Sequence, residues 1–408
     1  MLIKILAIIG LCLGMLIPHL KAQSFSSSHR LKTRIPFNYE RDLIIIPLWI
    51  NQKGPYHFIF DSGVSISLIT NSDLEEKLSL VPQNKIEIKG FGVGENIQAD
   101  LVHHLQFKLG NQEGSGFTAA ILPKGVLDFS NYVGLPIDGI IGYDILKYFR
   151  VDIDYSLGRL LLDRSPEKKT PEKGFIPINI QIEGGKALIP VQLIQEGGKP
   201  LSINLVFDTG AGNSLFLDQS SNPQLIPPLK FLNANLGWGI NGSIVGKIGR
   251  VDKIIFAGIE MNHIIAAYPL IPDSLKEYSH HNFNGNLGNE ILKRFHLIID
   301  YPAGKIYLKK RFNFSNSFEY DMSGIGFTAE GKDFRHFFVS SIDPNSPGEL
   351  AGLKPGDLIL FVNDNPSSDY TMSELDRLFQ SGEGRRINIL YFRDGTIQEC
   401  ILTLKRRI

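Results

Sequence analysis

Cysteine is nearly absent: Cys12 and Cys400 are the only two in 408 residues. Cys12 lies in an apolar N-terminal run that is expected to be removed, so the remainder must hold together through its cores and without an intrachain disulfide. No Cys or His cluster has zinc spacing, and no metal or other cofactor is expected. His103-His104 and His280-His281 are adjacent pairs; on a strand such neighbours point to opposite faces, so surface positions are expected. A charge excess is missing too, with 42 Lys+Arg against 42 Asp+Glu. No basic run occurs outside the last few residues, which excludes a strongly electrostatic nucleic-acid binder. A phosphate-binding loop and a His-Glu-x-x-His motif are also lacking. What is present is an ordinary globular balance, 43% hydrophobic and 21% charged, enough for about two to four domains with separate cores.

The apolar run Ile5 to Ile17 is short of the ~20 residues that span a bilayer. Lys4 precedes it, Pro18 ends it, and Ala22 offers a cleavage point, so residues 1–22 are expected to be a cleaved secretory signal; an uncleaved anchor is the other reading. Cleavage removes Lys4 and Lys21 and leaves 40 basic against 42 acidic residues. No membrane span is expected after it. The expected location is the periplasm, or the cell surface and beyond.

An internal duplication organises the rest. Phe58 to Thr70 reads FIFDSGVSISLIT, and Leu205 to Leu217 reads LVFDTGAGNSLFL. Asp138 to Leu162 reads DGIIGYDILKYFRVDIDYSLGRLLL, and Asn284 to Leu308 reads NGNLGNEILKRFHLIIDYPAGKIYL. Both blocks recur at nearly one offset, so a unit of roughly 130 residues is repeated. Leu43 to Trp49 and Tyr56 to Phe60 read as strands around the turn signal Asn51 to Pro55. Ile86 to Lys89 and Leu105 to Leu109 alternate. Within the repeated units, short helices are expected only at Tyr143 to Phe149, Asn289 to Phe295 and Ser72 to Leu78. The fold class is therefore mainly β. The expected domains are residues 31–163, a polar linker at 164–174, residues 175–310, and a C-terminal module at 320–408.

In each copy an apolar strand runs into Asp-Ser/Thr-Gly. A carboxylate at the end of a buried strand is costly unless it is hydrogen-bonded or paired. The glycine permits a tight turn that aims N–H groups at it. Two such loops facing across a pseudo-dyad place Asp61 beside Asp208. Like charges so close cannot both ionise and share one proton over a range of pH. One carboxylate then serves as base toward a water while the other donates to a carbonyl oxygen.

These loops, Asp61-Ser62-Gly63 and Asp208-Thr209-Gly210, resemble the active-site loops of retropepsin-like and pepsin-like aspartic peptidases. Ile140-Ile141-Gly142 resembles the hydrophobic-hydrophobic-Gly motif that crosses beneath each loop in that family; Asn286-Leu287-Gly288 departs from it at its first position. The resemblance covers about residues 35 to 310. It implies two pseudo-symmetric lobes of double-ψ β-barrel type, completed within one chain so that a monomer suffices. It implies Asp61 and Asp208 as the catalytic pair, with Ser62, Gly63, Thr209 and Gly210 as loop support. The family's flap has two candidates, Phe91, Gly92 and Gly94 in the first copy and Trp238 with Gly239 in the second. Gly237 to Gly242 also satisfies Gly-x-Gly-x-x-Gly, but a strand-like run follows where a dinucleotide site needs a helix. Val64 and Ala211 follow the two loop glycines and cannot hydrogen-bond the carboxylates. By the family comparison this implies a mildly acidic to neutral optimum.

From about 322 to 406 the chain resembles a PDZ domain, a small α+β unit, on the string Ser346-Pro347 to Ala351-Gly352-Leu353-Lys354-Pro355-Gly356-Asp357. Ser346 can cap a short helix with Pro347 at its first position, and Gly352 suits its end. Thr371 to Phe379 reads as an amphipathic helix. Gly324, Ile325, Gly326 and Phe327 match the loop that binds a peptide's terminal carboxylate, with the peptide added as a strand; packing on the peptidase without a ligand is the other reading. Two functions follow. The first is an exported aspartic endopeptidase acting on polypeptide, its PDZ recruiting or regulating. The second is a non-catalytic peptide-binding protein, in which Asn286 marks a spoiled pair.

Overall fold

The computed structural model describes residues 23–26, 31–88, 96–165, 171–239, 242–270 and 282–408, and only the backbone at 238–239 and 242–243. The expected signal at 1–22, the flap candidates Phe91, Gly92 and Gly94, the pair His280-His281 and the middle of the linker lie outside the described residues. The chain is mainly β, with six short α-helices among the described residues.

The apolar runs become the strands of two closed sheets. In the first, Leu43–Ile50, Lys53–Phe60, Gly139–Ile141, Ser67–Ile69, Gln112–Ile121 and Ile97–Leu109 follow one another, and the last pairs back with Leu43–Ile50. In the second, Lys186–Ile194, Leu201–Phe207, Gly285–Leu287, Leu215–Leu217, Ile259–Pro269 and Gly242–Phe256 run in the same order, and the last again pairs with the first. Closure leaves no bare edge inside either ring. In both rings the strand entering the Asp-x-Gly loop is paired in parallel with the strand of the later repeat block. Ile140 lies opposite Ile59, and Asn286 opposite Val206.

A six-stranded sheet joins the halves. Arg150–Asp154 of the first copy pairs with Phe295–Asp300 of the second, with Arg159–Asp163 and Lys32–Pro36 on one side and Lys305–Lys310 and Ile176–Asn179 on the other. Arg150 Nη1 meets Asp300 Oδ2 at 3.2 Å across this junction. One continuous core runs through both rings and this sheet, including Phe60, Phe149, Phe207 and Phe295. Burial of about 25 cal/mol per Å² of apolar surface thus fixes the two Asp loops against each other without a disulfide.

The C-terminal module is a separate sheet, Ile325–Glu330, His336–Ile342, Leu358–Val362, Arg386–Arg393 and Thr396–Thr403, with its own core. Ser346 Oγ accepts from Glu349 N at 3.3 Å, and Pro347 opens the helix Pro347–Leu350. Thr371 and Glu374 form a capping box at the start of Met372–Phe379, which buries Met372, Leu375 and Phe379. The helix Phe129–Val133 was not expected from the sequence. Asp128 caps it and the left-handed Gly134 ends it.

Candidate functional site

Asp61 and Asp208 follow the parallel-paired strands Lys53–Phe60 and Leu201–Phe207, and both are buried. Each carboxyl accepts a hydrogen bond from its own loop, Gly63 N to Asp61 Oδ1 at 2.7 Å and Gly210 N to Asp208 Oδ1 at 3.0 Å. The two carboxyls face each other closely enough for each to bear on the ionisation of the other. The loops approach so closely that a Cβ on Gly63 would stand 2.7 Å from Asp208 Cγ, and one on Gly210 would strike Asp61. Glycine is required at both positions by the opposite aspartate.

Ser62 and Thr209 lock the loops together. Ser62 N donates to Thr209 Oγ1 and Thr209 N to Ser62 Oγ, both at 3.0 Å. Ser62 Oγ donates to Phe207 O at 2.6 Å, and Thr209 Oγ1 to Phe60 O at 3.1 Å. Each hydroxyl therefore bridges to the backbone of the other half. Being buried, these bonds fix the separation of the two carboxyls more firmly than exposed ones could.

The electrostatics follow from that burial. Removal from water pushes both carboxyls above the usual carboxylate range, and the charge of Asp208 pushes Asp61 further still. Opposing this at Asp208 is Asn286, whose Nδ2 donates to Asp208 Oδ2 at 2.6 Å. Lys186 is buried, stands with its ammonium 5.2 Å from the Phe283 ring centre, and favours the charged form of both carboxyls. Val64 and Ala211 are buried apolar neighbours. Behind the pair, Tyr301 sits edge-on to Tyr143 with ring centres 5.5 Å apart, its phenol held neutral by burial and by the nearby carboxylates.

Sequence reasoning treated Asn286 as a defect and passed over Lys186. The first was visible as the one departure from the repeated motif. The second was visible as a lysine leading the apolar run Lys186-Ala187-Leu188-Ile189. The flap candidate of the second copy, Trp238 and Gly239, ends the strand Phe231–Gly239, which pairs with Gly242–Phe256. His103 hydrogen-bonds Thr118 at 2.9 Å, and no group of three or more potential metal ligands occurs among the described residues.

The Gly324 to Phe327 loop lies elsewhere, at the edge strand of the C-terminal module. Its Gly324 N–H donates to Asp321 Oδ2 at 2.6 Å, and Ile325 N to Ser323 Oγ at 3.0 Å. Gly134 sits between Ala329 of that strand and Met372 of the helix beside it. Arg41 is buried there as well. Its Nη1 donates to Tyr132 O at 2.8 Å and to Phe327 O at 3.3 Å, and its Nε meets Asp376 at 3.2 Å. Ser373 closes the contact, accepting from Arg41 N at 2.7 Å and donating its N–H to Glu40 at 3.2 Å. The cleft between strand and helix is thus filled by the first half of the same chain.

Comparison with known families matches two segments. Residues 46–145 match the aspartyl protease family model, and residues 338–393 match the PDZ domain model. The chain therefore carries an aspartyl protease domain and a C-terminal PDZ domain. No curated protein matches the chain.

Proposed function

We propose that this protein is an aspartic endopeptidase whose two halves, related by a pseudo-dyad, each supply one catalytic carboxyl. The observation that carries this reading is the close approach of Asp61 and Asp208 in a buried pair of interlocked loops. A pair held that close keeps a single proton between its members over an intermediate pH range. The ionised member takes a proton from a water as the water attacks the scissile carbonyl, and the protonated member gives its proton to the carbonyl oxygen. The tetrahedral intermediate collapses as the member that took the water proton gives it to the nitrogen, which leaves as an amine, while the other member recovers a proton from the hydroxyl that becomes the new carbonyl. Both halves lie in one chain, so a monomer suffices. Peptidase action on unfolded polypeptide, with loss of turnover in Asp61→Asn and in Asp208→Asn, tests it. Binding without cleavage by a folded protein would favour the peptide-receptor reading.

Since burial raises both carboxyls, the active monoanion lies above the ordinary carboxylate range. We expect a mildly acidic to neutral optimum; maximal cleavage below roughly pH 3 would contradict it. Export to the periplasm or cell surface is proposed on the pattern of residues 1–22. For the PDZ module the proposed resting role is docking. Gly134 and Arg41 fill its cleft, so capture of a peptide C-terminus requires release of that contact. Arg41→Ala should then increase retention of peptides with free carboxyl termini over wild type.

A further inference from the structure

Two register positions distinguish the surroundings of the two aspartates. Two residues beyond the pairing Ile45↔Ile59 come Leu43 and Asp61; two beyond Leu188↔Val206 come Lys186 and Asp208. On the strand that crosses beneath, Ile140 is opposite Ile59, and Asn286 is opposite Val206. At the same two places, then, the first half has Leu43 and Ile140 and the second has Lys186 and Asn286. All four are buried. Both replacements put positive charge or a hydrogen-bond donor beside a carboxylate, and only Asp208 receives the direct bond, from Asn286 Nδ2 at 2.6 Å.

Resting on the peptidase reading above, we propose that Asn286 is a positioning residue that breaks the symmetry of the pair, making Asp208 the resting carboxylate and base and leaving the proton on Asp61 as the acid. An amide N–H stabilises an anion and gives nothing comparable to a protonated oxygen that it faces. Lys186 adds its charge to both carboxyls and sets the pH range of the pair; Asn286 decides which member ionises first. The other charged or titratable groups facing Asp208 are Asp61, from the facing loop, and Tyr301, behind the pair. A purely structural Asn286 is a poor explanation, because its Oδ1 is buried without a hydrogen-bond partner, which works against stability.

Asn286→Ile restores the residue type of the first half and is the discriminating variant. With both carboxyls protonated, at low pH, it should fold at least as stably as wild type, and it should lose stability only as pH rises and Asp208 ionises. Its kcat/KM on the acidic limb should fall by about tenfold or more, the equivalent of losing one hydrogen bond to a charged group, with the limb displaced to higher pH. Loss of stability with an equal loss of activity at every pH would instead mean a structural role and overturn the proposal. Carboxyl titration by 13C NMR of aspartate-labelled protein needs no turnover. In an Asp61→Asn background Asn286→Ile should move the Asp208 titration upward; in an Asp208→Asn background it should leave that of Asp61 in place. Should Asn286→Ile not fold, the two single aspartate variants still decide. Asp208 must ionise at lower pH than Asp61, and the reverse order overturns the proposal. A wild type that shows this order but cleaves nothing sinks the peptidase reading while leaving the asymmetry standing. A wild type that cleaves polypeptide with the order reversed does the opposite.

Discussion

Replacing Gly63 by alanine adds one methyl group and removes no functional atom. Gly63 is outside the left-handed region, so its backbone accepts alanine without strain. The added Cβ would stand 2.7 Å from Asp208 Cγ and 2.8 Å from each of its oxygens, where ordinary contact begins at 3.4 Å. Asp208 must therefore retreat by roughly 0.7 Å. It cannot do so freely, since Asn286 and Gly210 N–H hold its oxygens. Overpacking of this kind costs about 1–3 kcal/mol of stability. A misplacement near 1 Å costs on the order of a hundredfold in rate, so kcat/KM should fall about ten- to a hundredfold. The assay pairs steady-state kinetics on an unfolded polypeptide with urea unfolding. Gly348→Ala is the control: its Cβ would lie 2.5 Å from Ile325 Cγ1 in the C-terminal module. It should lose stability yet keep its activity per folded molecule. Wild-type kinetics and wild-type stability in Gly63→Ala would refute the claim that the two loops meet this closely.

Thr209→Val strips the acceptor from Ser62 N and the donor from Phe60 O, leaving two buried backbone groups unpaired; a loss of about 2–4 kcal/mol in urea unfolding is expected. Arg41→Ala leaves the carbonyls of Tyr132 and Phe327 and the Asp376 carboxylate without their shared partner. It should cost about 3 kcal/mol and speed limited proteolysis in the connection at 311–321. Asp144 is buried, and burial raises its carboxyl from 3.8 to about 6. Its folded pKa is the higher one, so its stabilising contribution is full below pH 3.8 and is lost as pH climbs to about 6. Over that window the change is on the order of 3 kcal/mol, and it should vanish from the pH–stability curve of Asp144→Asn.

Much of this architecture could be read directly from the repeated blocks. The repeated Asp-x-Gly blocks led to the expectation that Asp61 lies beside Asp208, and the structure brings each loop glycine against the opposite aspartate. The mainly β class followed from alternation and turn residues, and the C-terminal module from Ser346 to Asp357. The joining sheet was harder to see. Arg150–Asp154 and Phe295–Asp300 were recognised as matching segments, but nothing local says that matching strands pair with each other rather than within their own copies. Helix Phe129–Val133 is five residues long, too short to show a period, and its Phe129, Tyr132 and Val133 are buried by distant strands of the first ring, among Leu43, Ile45 and Ile59.

The polar residues at the site went unread for a different reason. A family pattern ranks Asn286 as a deviation, because the pattern is apolar where the strand is buried on both sides. Burial alone penalises an amide there, and by that measure the residue looks like decay. The register gives it the opposite meaning. The amide lies opposite Val206, two residues before Asp208, and reaches an oxygen that the glycine loop leaves unserved. Lys186 is read the same way, as a costly buried cation in isolation and a counter-charge once its place two residues past the Leu188↔Val206 pairing is set beside that of Asp208. The duplicated blocks supply two like acids, and under the proposed peptidase reading a directional reaction needs them unequal. Polar substitutions confined to one copy, at positions that the repeat otherwise keeps apolar, are where that inequality can be introduced without disturbing the loops.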